Sequence, residues 1–290
     1  MNRVFWSLFV DPYTGDDLVF DGVVVGDDWV NGVLRSRSGN EYPVIDNVVV
    51  LVKEVDTGWR EEDIEFLRKG NWIKRNWDDH MRRAGKDDLW NSFCREIAEN
   101  KGLILDVASG PGGGLVPCIL YYNDDAYVLM NDIEYRILLM WREFLKNIRR
   151  GKYVGFLATD ARKLPIKSGS LDVIVSAGGF SNIPGHNEAL REAYRVLKPG
   201  GKLYMIEGGV LREDFEKLPV DIQKKWLREL PALLGIWDEL VKEVGFKITF
   251  YERKGMKTIS PDESELGKEA HKYGVTLRYT GFYIKAVKPS

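Results

Sequence analysis

The feature that most constrains this chain is the alternation that begins after Gly102. Apolar segments of strand length (103–107, 126–131, 153–158, 171–176 and 202–207) are separated by amphipathic helical stretches at 114–122, 134–150 and 187–197. Strands that read as continuous apolar runs are buried on both faces, and strand–helix–strand repeats close a parallel sheet with helices on either side. The expected fold class is therefore α/β. After Asp221 a helical pattern continues to about residue 244, with Pro231 expected to kink or split it. A strand at 247–253, a long polar excursion and a last strand at 277–287 complete the chain. An excursion of that length is more often functional than filler.

The first 55 residues have a different texture: short β-branched runs at 17–25, 30–35 and 48–52, separated by Gly, Asp and Asn turn signals. They carry Arg3, Arg35, Arg37 and Lys53 against Asp11, Asp16, Asp17, Asp21, Asp27, Asp28, Glu41, Asp46 and Glu54. The module is acidic and ill suited to phosphates. Residues 56–101 turn helical, with Ile64, Leu67, Trp72, Ile73, Trp77, Met81, Trp90, Phe93 and Ile97 at three- and four-residue spacing. These helices pack on the main domain or form an aromatic lid, with Trp72 and Trp77 as its candidate ligand-facing residues. The organisation expected is a β module at 1–55, a helical lid or linker at 56–101 and a ligand-binding domain at 102–290.

Composition narrows the class further. A hydrophobic share of 44% and a charged share of 30% exclude disorder and fibrous architecture. The net charge of -2 argues against a chain built to coat nucleic acid. Cys94 and Cys118 are the two cysteines, too few for a four-cysteine zinc site, and they speak against a disulfide framework and for a reducing, cytoplasmic setting. No apolar run approaches the ~18 residues of a membrane span, and no targeting segment is read at the N-terminus.

The strongest chemical signal is the turn Asp106-Val107-Ala108-Ser109-Gly110-Pro111-Gly112-Gly113-Gly114, which follows a buried strand and opens a helix. Glycines there let backbone approach a ligand, and free N–H groups at the helix start face an anionic group. A dinucleotide fingerprint is G-x-G-x-x-G with its acid about 20 residues later, whereas here Asp106 already ends the first strand. The spacing suits a ligand bearing an ammonium and a carboxylate. Asp132 ends the second strand, where a carboxylate accepts both hydroxyls of a ribose, and Asp160 ends the third, where it suits an exocyclic amine. Asp172, at the start of the fourth strand, reads as structural. His186, just after the fourth strand, and His80, in the aromatic region, are the histidines placed to move a proton.

At these residues the chain resembles the class I S-adenosylmethionine-dependent methyltransferases. The turn at 106–112 is similar to the D-V-A-C-G-T-G form of the quinone-biosynthesis C-methyltransferases, and the segment 179–201 resembles the same group. One departure is Ala108 where many class members carry Gly. The resemblance implies a Rossmann-like sheet of seven strands in the order 3-2-1-4-5-7-6, the last one antiparallel, and S-adenosylmethionine as cofactor. It implies that Asp106, Ala108, Ser109, Gly110, Pro111 and Gly112 lie along the methionine end. Asp132 with Ile133 would sit at the ribose, Asp160 with Ala161 at the adenine, and Ser176 and Ala177 along the methyl-transfer cleft.

The N-terminal module resembles, through 11–18 and 38–51, the zinc-ribbon proteins that activate certain tRNA and translation-factor methyltransferases, a ribbon also fused ahead of rRNA guanine-N1 methyltransferases. The family's four cysteines fall at Asp11, Thr14, Arg35 and Ser38, so no metal is expected, with an Asp11–Arg35 ion pair as a substitute clip. The expected activity is in-line methyl transfer to a small or lipid-like acceptor. Two alternatives stand: an rRNA or tRNA base methyltransferase with RNA as partner, motivated by the ribbon and the basic clusters at 142–152 and 247–257, and a catalytically silent binding subunit.

Overall fold

The computed structural model describes residues 1–52, 57–230 and 232–290. Pro231 and the expected module boundary at 55/56 lie outside the described residues. An N-terminal 3-10 segment, Arg3–Leu8, leads into β1 (Leu18–Val25), β2 (Asp28–Ser36), β3 (Glu41–Ile45) and β4 (Val48–Val50). Three helices follow, α1 (Glu61–Lys69), α2 (Trp72–Arg83) and α3 (Leu89–Ala98). The alternating core comprises β5 (Ile104–Asp106), α4 (Val116–Tyr122), β6 (Val128–Asp132), α5 (Tyr135–Ile148), β7 (Val154–Ala158), β8 (Leu171–Ala177), α6 (His186–Val196) and β9 (Leu197–Val210). The chain ends with α7 (Arg212–Phe215), α8 (Val220–Glu229), α9 (Trp237–Val244), β10 (Lys247–Thr258), α10 (Glu265–Lys272) and β11 (Arg278–Val287).

Burial explains the strands. All residues of β5, β6 and β7 are buried, as parallel strands covered on both faces must be. Asp172 is structural as expected: its carboxylate accepts from Leu103 N at 2.8 Å and pairs with Lys198 at 2.7 Å, tying the start of β8 to the residue before β5.

The seven core strands stand in the expected order, β7-β6-β5-β8-β9-β11-β10, with β11 antiparallel to both neighbours. The strand count differs from the expected seven. The N-terminal strands continue the same sheet, which has eleven strands in the order β1-β2-β3-β4-β7-β6-β5-β8-β9-β11-β10. The junction is a parallel pairing of β4 with β7, Val48 opposite Phe156, Val49 opposite Leu157 and Val50 opposite Ala158. Strand β7 would otherwise be an open edge, and β4 satisfies its backbone groups. Side chains follow the backbone across the seam. Phe5, Leu34, Tyr42 and Val49 belong to one buried cluster with Leu105, Leu129 and Leu157. A Cβ on Gly155 would lie 2.8 Å from the Phe5 ring and 2.9 Å from Met1 Sδ, so glycine is required where the N-terminus lies on β7.

Several expectations need correction. Asp11 and Arg35 do not pair. Asp11 accepts from the backbone N–H of Tyr13 and Thr14 and from Asn40 Nδ2, while Arg35 is held by Asp21 and Glu41. Hydroxyls cluster at this turn, with Thr14 Oγ1 3.2 Å from Ser38 Oγ and Ser36 Oγ 2.9 Å from it. Cys94 and Cys118 form a disulfide, Cα–Cα 5.7 Å, between α3 and α4. A separation of 24 residues gives no hint of it, and only the packing of α3 on α4 brings the sulfurs together. The long polar excursion is shorter than expected, because β10 runs on to Thr258 and α10 occupies part of the rest. Helix α10 packs with α7 and α8 in a separate apolar cluster around Phe215, Ile222, Trp226 and Leu266.

Because the N-terminal strands share one core with the rest, Phe5→Ala, at a fully buried position, is expected to destabilise the whole chain by about 3–5 kcal/mol. Urea unfolding followed by tryptophan fluorescence and far-ultraviolet dichroism should still give one coincident transition; a separate early step would mean that the N-terminal strands melt alone.

Candidate active site

The glycine turn between β5 and α4 wraps around one carboxyl group. Asp106, fully buried, accepts from Ser109 Oγ and, at 3.3 Å, from Leu115 N, and burial pushes its pKa up to about 7. Its carboxyl is thus committed to shaping the turn from within. A Cβ on Gly114 would fall 2.1 Å from Asp106 Oδ2, with φ at +53°, so only glycine fits there. Ala108 also takes a left-handed conformation, φ 51°. That is why glycine is the commoner choice at this point of the turn, and alanine carries a strain of about 1–2 kcal/mol.

Neighbouring elements hold the turn from outside. Asn131, at the end of β6, accepts from Ser109 N through its carbonyl at 2.8 Å and from Ala108 N through Oδ1 at 3.4 Å, while its Nδ2 donates to the carbonyls of Leu157 and Thr159. Trp141 Nε1, from α5, donates to Gly110 O at 2.9 Å. From α2, Asn76 Nδ2 donates to Pro111 O at 3.0 Å and His80 Nε2 lies 3.2 Å from Gly112 O. Helix α2 is thus fastened to the tip of the turn. Burial lowers the pKa of His80, and its ring sits against Trp90.

The expected rim residues are brought together at the carboxyl ends of the strands. Asp132, buried, accepts from Gly110 N at 2.8 Å and Glu134 N at 2.9 Å, and desolvation raises its pKa. Ile133 beside it is half-buried. Asp160 caps the 3-10 turn Ala161–Lys163 and pairs with Arg162 at 2.7 Å; Ala161 is buried behind it. Ser176 is fully buried and Ala177 half-buried at the end of β8. His186, the first residue of α6, packs edge-on against Trp237 at 5.5 Å; its Nδ1 is buried without a partner among the described residues, and burial lowers its pKa. The two tryptophans part company. Trp77 is buried against Phe144 and α5, a core residue and not a lid surface. Trp72 lines a cavity of about 430 Å³ with Trp59, Phe66, Asn76, Pro111 and Gly112.

Sequence reasoning missed Asn131, Trp141, Asn76 and Glu207. The first is the residue before an expected rim acid, and its role was readable only as a polar residue ending an apolar strand. The others act from helices or strands distant in sequence, and nothing local marks them.

A doubly wound sheet with a glycine turn after its first core strand, acids ending the next two, and a reversed strand inserted beside the fifth defines a class I S-adenosylmethionine-dependent methyltransferase. Residues 76–231, more than half of the chain, match the ubiE/COQ5 methyltransferase family model, and the protein belongs to that family. It is 34% identical over 126 residues to the ubiquinone/menaquinone biosynthesis C-methyltransferase UbiE of Azotobacter vinelandii, a match covering 43% of this chain and 50% of that one. It is 31% identical over 170 residues to UbiE of Rickettsia prowazekii, covering 52% and 68%. The chain spans about half the length of the first relative. Among solved structures, a methyltransferase from Bacillus halodurans has the same fold, with a TM-score of 0.52 at 20% identity over 69% of this chain and 99% of that one. A chain from the complex of the Haloferax volcanii Trm112 methyltransferase activator with a methyltransferase aligns with 80% of this chain and all of its own length, TM-score 0.50, 16% identity.

Gly114→Ala is expected to lower stability by about 2 kcal/mol or more, since the methyl group meets a buried carboxylate in a left-handed backbone. Denaturant midpoints of the two proteins measure it, and an unchanged midpoint would mean that the turn does not close around Asp106.

Proposed function

We propose that this protein transfers the methyl group of S-adenosylmethionine to a carbon of a small, lipid-like acceptor of the quinol type. The observation that carries the reading is the open space over the turn. A Cβ on Gly112 would meet nothing within 4 Å, and one on Gly110 would reach only its own turn, so the two glycines leave backbone open to a ligand there, Gly112 on the wall of the cavity that Trp72 lines. Bound there, S-adenosylmethionine supplies a methyl group on a sulfonium, already activated for in-line displacement.

The chain's own work is placement. A carboxylate has about four acceptor positions, and the Gly110 and Glu134 amides that fix Asp132 leave acceptor capacity for a ribose hydroxyl. Asp160, fixed by Arg162, directs its remaining lone pairs toward an amine. The turn N–H groups receive the carboxylate end. His80 serves the turn through Gly112, whereas His186, a neutral imidazole with a free Nδ1 among the described residues, takes the proton that the acceptor releases. No described helix is long and apolar enough to cross a membrane. The family membership and the apolar wall of Trp59, Phe66 and Trp72 favour such an acceptor over RNA. The basic clusters that motivate an RNA reading are partly neutralised, Arg142 by Asp46, Arg150 by Asp124, Arg253 by Glu213 and Lys254 by Glu252.

Calorimetric titration should show binding of S-adenosylmethionine and S-adenosylhomocysteine but not NAD. Asp132→Ala is expected to weaken both at least thirtyfold, and Gly112→Ala at least tenfold with stability held within about 0.5 kcal/mol. Radiolabelled methyl should then pass to a short-prenyl demethylated naphthohydroquinone. Absence of binding by either sulfur ligand would leave the silent-subunit reading in its place.

A further inference from the structure

Glu207 lies near the end of β9, one residue past the last pairing of β8 with β9, and is fully buried. A carboxylate without solvent costs several kcal/mol unless donors surround it, and here they do. Ser176 Oγ donates to Oε1 at 2.9 Å, Phe180 N to Oε1 at 3.2 Å and Ser181 N to Oε2 at 3.2 Å. All three donors belong to the end of β8 or to the segment that leaves it. The carboxylate thus gathers residues 176–181 around itself.

The other side of that segment rests on the glycine turn. A Cβ on Gly179 would fall 2.3 Å from Val107 O, 2.5 Å from Ser176 Oγ and 3.3 Å from Ala108 Cβ, so backbone lies directly on backbone there. Gly178 N donates to Ile206 O at 2.8 Å and Gly179 N to Ser176 Oγ at 3.1 Å. Residues 178–181 are therefore wedged between Glu207 and the turn. We propose that Glu207 is a positioning residue for methyl transfer, fixing the 178–181 segment as the acceptor-side wall of the cleft. The proposal rests on the methyl-transfer reading for its catalytic consequence, while the hold on the segment is independent of it.

Protonation modulates that hold. Burial pushes the Glu207 pKa up to about 7, opposed by the Ser176, Ser181 and Phe180 donors. Tyr279 is the titratable neighbour, its hydroxyl against Gly208 and its own pKa raised by burial and by Glu207. His186 packs on Trp237, whose Nε1 donates to Gly208 O. The ionised carboxylate accepts all three hydrogen bonds, and a proton on either oxygen turns an acceptor into a donor facing donors.

The test uses the full chain with Glu207→Gln and Glu207→Asp. Amide hydrogen exchange of residues 178–181 should show protection in the wild type that falls at least tenfold between pH 8 and pH 6. Glu207→Gln should be as unprotected at pH 8 as the wild type at pH 6, and Glu207→Asp should restore part of the protection. S-adenosylhomocysteine affinity, measured by calorimetry, should change less than threefold in either variant. With the short-prenyl naphthohydroquinone, kcat should fall at least thirtyfold in Glu207→Gln at similar KM, losing the rise through pH 7, with partial recovery in Glu207→Asp. Exchange that is flat with pH and alike in wild type and both variants overturns the proposal, as does a kcat unchanged by Glu207→Gln. Should the wild type bind no S-adenosylhomocysteine, the methyl-transfer reading fails while the exchange data still decide what Glu207 holds.

Discussion

Asp106 is a carboxyl with no solvent, and the cofactor turn is built around it. The Ser109 hydroxyl and the Leu115 amide converge on its oxygens, and Gly114 passes so close that a side chain there would overlap it. Once this knot is tied, the remaining polar groups of the turn point outward, where Asn131, Trp141, Asn76 and His80 take them up from three different elements. A loop that carries two glycines over open space is thereby held by the protein's own hydrogen bonds, the kind of fixed geometry that positional catalysis requires. Its price is a pair of displaced carboxyls, Asp106 and Glu207, each pushed up to about 7. For both groups the folded value lies above the unfolded one. The stability that comes with the bound proton is present below about pH 4 and is lost as the pH rises to about 7.

The N-terminal strands solve a different problem. A doubly wound sheet ends in an open edge at β7, and β4 closes it with three parallel residue pairs. The seam is also apolar in depth, since Met1 and Phe5 lie on Gly155. The ribbon-like knuckle at Asp11, Thr14, Ser36 and Ser38 keeps its turn through hydrogen bonds alone. The four N-terminal strands, with no fully buried residue in β1, draw their core from the larger sheet they share.

At the far side, the chain after β9 builds a small cap from elements distant in sequence. Asp214 on α7 binds Arg278 at the start of β11, and Trp226 on α8 donates to Glu269 on α10. These contacts join the segment before α9 to the connection between β10 and β11. The cap borders β9 at Val210 and β11 at Arg278.

The order of the seven core strands was implied by the family resemblance, whereas the sequence by itself determined the parallel sheet, the glycine turn and the acids at Asp132 and Asp160. Each is a local signal, an apolar run or a turn residue whose meaning depends on its immediate neighbours. Tertiary structure alone decided that Asp106 turns inward, that Trp77 joins the core while Trp72 lines a cavity, that Arg35 chooses Asp21 and Glu41 over Asp11, and that Cys94 meets Cys118. Glu207 and the joining of β4 to β7 belong there too. In each case the partner lies on another element, and whether a side chain is buried, paired or free is set by packing between elements, which no spacing along the chain encodes.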